Sequence, residues 1–245
     1  MSESARMWME VTFNVAYLIV VWWLVVLMFT RIERVAPAQR RLARLFAWAF
    51  LLLALGDTGH VGFRVLAYAL GDLETPVRML GPNTTLVGLG ALSTAFTVTL
   101  FYVLVLLAWA ERFERPLGVI GWVLLLAAAA RLVLMVPAAN QWGSAVPPQP
   151  WSLVRNLPLM VQGLGAAALI LWDAARTRDR LFTWVGVSIL ASYAFYLPVI
   201  LFVQRAPLVG MLLIPKTLAY VAIAVLAYRG LDRGAKSPAA HRAPA

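Results

Sequence analysis

Several runs of this chain stay apolar for 18 residues or more, the length that crosses a bilayer as a helix. No water-soluble core of this size takes up so many such runs. The residues are 62% hydrophobic and 13% charged, whereas a soluble domain carries about 25% charged residues. The expected fold is an all-α integral membrane protein. A single bundle of seven transmembrane helices fills residues 1–230, with spans near 11–30, 45–71, 85–110, 117–136, 153–172, 181–203 and 208–228. Residues 231–245 are basic and rich in Ala, Pro and Gly, and are expected to be a disordered cytoplasmic tail. The connecting stretches, roughly 15–20 residues at most, leave no room for a soluble domain.

The basic residues set an expected orientation. Loops 31–44, 111–116 and 173–180 and residues 229–245 hold 14 Lys or Arg, against 4 on the opposite side: Arg6, Arg78, Arg155 and Arg205. The positive-inside rule then puts the N-terminus outside and the C-terminus in the cytoplasm. Arginine far outnumbers lysine and alanine and leucine are abundant, the usage of a GC-rich bacterial genome. The expected location is therefore a bacterial inner membrane.

Composition also excludes functions. There is no cysteine, so disulfides, thiolate metal sites and cysteine nucleophiles are ruled out. The net charge of +10 is accounted for by basic cytoplasmic loops, and no nucleic-acid partner is expected. Seven-helix zinc hydrolases of the ceramidase and adiponectin-receptor type need three histidines at membrane depth. Here only His60 lies there, since His241 is in the tail. No phosphate-binding glycine loop, serine nucleophile elbow or His-Glu-x-x-His motif occurs. Neither metal nor cofactor is assigned.

Chemistry concentrates in Gly56-Asp57-Thr58-Gly59-His60-Val61-Gly62-Phe63-Arg64 of the second span. Asp57, His60, Arg64 and Tyr68 share one helical face at 100° per residue. Ionisable groups at that depth cost roughly 2.5–3.5 kcal/mol each and usually face a bundle interior. Asp57 with His60 has the makings of an acid–base pair. The structural alternative is an ion pair of Asp57 with Lys216 or Arg64. The glycines offer flex points in a long helix, or close approach for a neighbour.

Counting 1.5 Å per residue from the outer helix ends, Arg64, Arg131, Asn156, Gln162, Tyr193, Tyr196 and Lys216 all lie in the outer half. Tyr220 lies one turn beyond Lys216. Together they predict an outward-facing polar pocket above a closed, apolar inner half. Three cations there face one carboxylate, and guanidinium forks suit carboxylates and phosphates. The alternative for Arg64 and Arg131 is snorkelling to the outer headgroups. Pro215, beside Lys216, is expected to loosen the last span.

Gly88-Leu89-Gly90-Ala91 and Gly163-Leu164-Gly165-Ala166 echo each other, which fits either duplicated hairpins or small-residue packing. Asn83 or Thr84 is expected to cap the third span, and Asn83-Thr84-Thr85 also fits a glycosylation sequon. The Trp- and Pro-rich loop 137–153 is a connector or an interfacial lid.

A lysine on the last of seven helices, with the N-terminus outside, resembles the microbial rhodopsins. Tyr193-Ala194-Phe195-Tyr196-Leu197-Pro198 resembles their aromatic–proline pattern on the sixth helix. The family's acid four residues before the lysine is Leu212 here, and the third span has no acid to act as counterion. Both departures argue against retinal bound through Lys216.

The leading functional expectation is a protein that binds or transports a small anionic or amphipathic ligand. Arg64, Arg131, Gln162, Tyr193, Tyr196, Lys216 and Tyr220 would form its pocket. The first alternative is an enzyme acting on a lipid or isoprenoid, with Asp57 and His60 catalytic. The second is a seven-helix receptor or sensor. Membrane lipids are expected partners, and an oligomer stays possible.

Overall fold

The computed structural model describes residues 3–71, 85–144 and 148–236. Among these it has seven α-helices and no strand: α1 (Glu3–Arg31), α2 (Arg40–Ala69), α3 (Leu86–Arg112), α4 (Gly118–Leu134), α5 (Trp151–Thr177), α6 (Arg180–Phe202) and α7 (Leu213–Lys236). Six are long and apolar enough to cross a membrane; α4 is the shorter exception. Its 17 residues rise about 26 Å. Pro116 and Pro137 bracket it, and neither the residue before a proline nor the proline itself extends a helix well.

Helix ends differ from expectation where local chemistry extends or caps them. The helix of α2 begins at Arg40 because Pro37–Gln39 forms a 3-10 turn that feeds into it. The Arg40 side chain ties this corner by donating to the carbonyls of Val35 (3.1 Å) and Glu33 (2.9 Å). Thr85 caps α3, its hydroxyl accepting from Gly88 N at 3.1 Å. The expected caps Asn83 and Thr84, and the sequon's asparagine, lie outside the described residues. Asp179 caps α6 by accepting from Phe182 N at 3.1 Å. The helix of α7 continues through Lys236, six residues into the expected disordered tail; residues 237–245 lie outside the described ones.

Consecutive helices pack side by side, and α7 returns to α1 to close the ring. The tightest pair is α2 with α3, and α3 also touches α4 and α5. Glycine explains the tight pair. A Cβ on Gly90 would lie 2.9 Å from His60 Cα, and one on Gly59 would lie 2.6 Å from Ser93 Oγ. Thr94 completes the seam by donating to the Gly56 carbonyl at 3.0 Å. The span stays helical through all three glycines, so Gly56 and Gly59 serve approach and not bending, while Gly62 faces open space.

The repeated glycine motif has the same explanation. Gly88 abuts the Trp142 backbone, Gly90 abuts His60, Gly163 abuts the Tyr193 ring and Gly165 abuts Leu124. Four unlike partners fit small-residue packing and do not require duplication.

Below this seam the core is apolar. Phe50, Phe101, Leu106, Phe182, Ile189 and Ile223 are at most 1% exposed. Phe101 meets Phe50 and Tyr102 edge-to-face at 5.5 and 5.2 Å. Gly90→Ala is expected to destabilise the fold by about 1–3 kcal/mol through overpacking. Gly62→Ala is expected to be neutral or to stabilise it by up to about 1 kcal/mol. Thermal unfolding in detergent checks both; equal effects would remove the α2–α3 contact as the reason for these glycines.

Candidate functional site

Asp57 points away from its presumed partners on α2. Its Oδ2 accepts a hydrogen bond from the Tyr17 hydroxyl of α1. Lys216 of α7 lies within Coulombic reach of the carboxylate, but among the described residues no ion pair joins them. His60, one turn further along α2, lies against Gly90 of α3. Its Nδ1 is buried with no hydrogen-bond partner, so Asp57 and His60 do not form a hydrogen-bonded dyad. The close α2–α3 seam turns them to different neighbours. Further out, the Arg64 guanidinium lies 5.9 Å from the centre of the Tyr68 ring.

Lys216 enters from an unusual backbone. Residues Pro207–Leu212 form a 3-10 helix that continues into α7 at Leu213. Pro215 therefore sits in the first turn of α7, where its missing N–H costs nothing. The expected loosening is the 3-10 segment before it. The ammonium lies 4.7 Å from the Tyr196 ring centre and 5.3 Å from that of Tyr220. Cation–π attraction holds it there, worth about 2 kcal/mol where water is excluded. Among the described residues it has no hydrogen-bond acceptor. The side chain is half-buried, and its nitrogen is not among the sealed unpartnered atoms.

The tyrosines join this lysine to a second polar centre. Tyr220 and Tyr102 share a hydrogen bond of 3.0 Å, and the Tyr102 and Tyr193 rings lie 5.7 Å apart. Tyr193 donates to the Leu159 carbonyl at 2.8 Å, and Tyr196 donates to Asn156 Oδ1 at 3.2 Å. That same Asn156 oxygen accepts from Arg131 Nη2 at 3.3 Å.

Arg131 does not snorkel; it is 2% exposed. Its Nη1 donates to Thr99 Oγ1 (2.7 Å) and the Ala95 carbonyl (3.0 Å), and its Nε donates to the Arg155 carbonyl (3.3 Å). Four of its five N–H donors thus go to neutral acceptors on α3 and α5, which leaves little for a ligand. Gln162 is fully buried beside it. Its Nε2 donates to the Thr99 carbonyl at 3.2 Å, and its Oε1 has no partner. Arg155, counted in the sequence only as an outer charge, stacks 4.1 Å from the Trp142 ring centre and donates to the Asn140 carbonyl at 3.2 Å. Trp142 is thereby packed into the bundle end, with its Nε1 donating to the Met135 carbonyl at 3.0 Å. Residues 145–147 of that loop lie outside the described ones.

Of the expected site residues, the structure brings together Tyr193, Tyr196, Lys216 and Tyr220, with Asp57 nearby. Arg131 and Gln162 join from behind through Asn156 and Thr99. His60 and Arg64 make other contacts. Tyr17, Thr99 and Tyr102 were missed. Each has hydroxyl-bearing neighbours on its own helix, and no linear spacing tells which residue of another helix it meets. Among the described residues no three His, Asp or Glu side chains converge on a metal position. A cleft of about 760 Å³ opens at the opposite, arginine-rich end, where only connecting loops were expected.

No protein-family model, curated protein or solved structure matches the chain. What the site can do therefore follows from its own residues.

Arg131→Ala leaves several buried acceptors unpaired and opens a cavity. It is expected to cost about 3 kcal/mol or more, against about 1 kcal/mol for Thr99→Val. Unfolding in detergent measures both, and a near-neutral Arg131→Ala would contradict the scaffold role.

Proposed function

We propose that this is a seven-span membrane protein, N-terminus outside and C-terminus in the cytoplasm. In the outer half of its bundle it binds a small anionic or amphipathic ligand, with Lys216 as the principal contact. The observation that carries this reading is the Lys216 ammonium itself. It rests on two tyrosine faces and, among the described residues, has no hydrogen-bond acceptor and no ion pair with Asp57. A half-buried ammonium without an acceptor is costly, and an anionic oxygen placed there would satisfy it.

Each neighbour then has a part. Tyr196 and Tyr220 offer apolar walls with a polar edge. Asp57 is engaged by the Tyr17 hydroxyl and leaves the approach to Nζ open. Arg131 adds positive potential from behind Tyr196 while its donors brace the scaffold, so it positions rather than contacts the ligand. The short α4 counts as the seventh span because a bilayer thins locally at small cost.

Binding is favoured over transport, because Phe50, Phe101, Leu106 and Ile223 close the core between this site and the arginine-rich end. The enzyme reading is weakened by the missing Asp57–His60 hydrogen bond, since general acid–base work needs a positioned pair.

Native mass spectrometry with organic extraction of purified protein tests the proposal. Wild type is expected to carry an anionic or amphipathic molecule. Lys216→Met, which keeps the bulk and removes the charge, is expected to lose about tenfold or more of it, the equivalent of one charge-assisted hydrogen bond. Equal occupancy in both proteins would sink the assignment of Lys216. A covalent adduct on Lys216 would replace it with Schiff-base chemistry.

A further inference from the structure

The arginine-rich end has a cleft of its own, to which Lys216 does not contribute. Its cleft of about 760 Å³ is lined by Arg112, Arg115, Arg176, Arg178 and Arg180, with Glu114, Asp173 and Asp179 as its acids. Two of those acids are already engaged. Asp179 takes Arg112 at 2.7 Å and the first turn of α6, through Phe182 N, at 3.1 Å. Asp173 takes Arg115 at 3.2 Å and Trp109 Nε1 at 3.0 Å. Arg176, Arg178 and Arg180 are left exposed with Glu114 as the remaining acid, a surplus of two positive charges.

The cleft does not end in solvent on every side. Arg176 also lines an adjoining groove of about 530 Å³ formed by Ala168, Leu171, Trp172 and Ala175. Those positions fall on one stripe of α5, and the groove runs about 12 Å back along the helix from the charged end. Alanines form its floor and Trp172, 61% exposed, its wall. The Arg176 guanidinium lies 4.3 Å from the centre of the Trp172 ring, at the junction of the two spaces.

We propose that this paired cleft and groove is a binding site for an anionic phospholipid. The phosphate lies among Arg176, Arg178 and Arg180, and an acyl chain lies along Ala168, Trp172 and Ala175. A phosphate can accept two guanidinium forks at once, which a carboxylate cannot do as well. Tryptophan favours the headgroup region of a bilayer, and basic pockets between helices suit anionic headgroups. A soluble phosphate would use the cleft and leave the groove empty; an uncharged detergent would do the reverse. The inference rests on the reading of the chain as a membrane protein.

The test uses the full chain in phosphatidylcholine nanodiscs. Phosphatidylglycerol, phosphatidylcholine and glycerol phosphate are titrated, and binding is read by native mass spectrometry and tryptophan fluorescence. Phosphatidylglycerol is expected to bind about tenfold more tightly than phosphatidylcholine, as one charge-assisted contact implies. The double variant Arg176→Gln with Arg180→Gln is expected to abolish that preference, and Trp172→Ala to weaken binding of both lipids. Lys216→Met is expected to leave the preference unchanged, which separates this site from the one in the core. Equal binding of the two lipids by wild type, or a preference that survives the double variant, overturns the proposal. Glycerol phosphate binding as tightly as phosphatidylglycerol overturns it in favour of a soluble phosphate. A chain that fails to enter the bilayer at all overturns the membrane reading beneath both sites.

Discussion

The close approach of α2 to α3 governs the rest of the bundle. Gly56, Gly59 and Gly90 let the two backbones come nearer than any side chain would allow, and Thr94 fastens them. On its other sides α3 packs against α4 and α5. It then presents Thr99 and the Ala95 carbonyl to Arg131, Tyr102 to Tyr220, and Phe101 to the apolar core. It also fixes the rotation of α2, which sends Asp57 towards α1 and α7 and His60 towards α3. The polar chemistry of the protein is arranged around a seam that contains almost no charge.

Cations outnumber acids inside this bundle, and the protein meets that excess in three physical ways. Arg131 is solvated by neutral oxygen atoms, as a buried guanidinium can be when its planar fork is matched. Arg155 and Lys216 rest on aromatic faces. Arg112 and Arg115 pair with acids at the helix ends. These solutions are not equal. The neutral-oxygen shell uses up the donors of Arg131, and the acids use up Arg112 and Arg115. An aromatic face leaves the N–H groups of Lys216 unspent. A difference in hydrogen-bond accounting, not in depth or sequence spacing, distinguishes a structural cation from one available to a ligand.

The all-helical architecture was legible because its signals are local. Apolar run length, helix-breaking prolines and basic loops each act over a few turns of one segment. The helices were therefore anticipated; Tyr193 and Tyr196 lie on α6 beside Lys216 and Tyr220 on the adjacent α7, whereas Arg64, expected in the same pocket, lies against Tyr68. The ends were less legible. The 3-10 turns at Pro37 and Pro207 and the Thr85 cap depend on backbone geometry that several residues at each position would permit.

The sequence by itself determined that this chain is made of long apolar helices, which of them carry charge, and where along each helix the charge lies. Only the tertiary structure decided who meets whom. Asp57 takes Tyr17 instead of a cation, Arg131 is bound into the scaffold, and five arginines from the α3–α4 and α5–α6 connections and the helix ends beside them line one cleft next to an α5 groove. The reason is that partners across helices are set by rotation about each helix axis. That rotation is chosen by where small residues allow two helices to touch, a relation between distant segments that no spacing along one helix records.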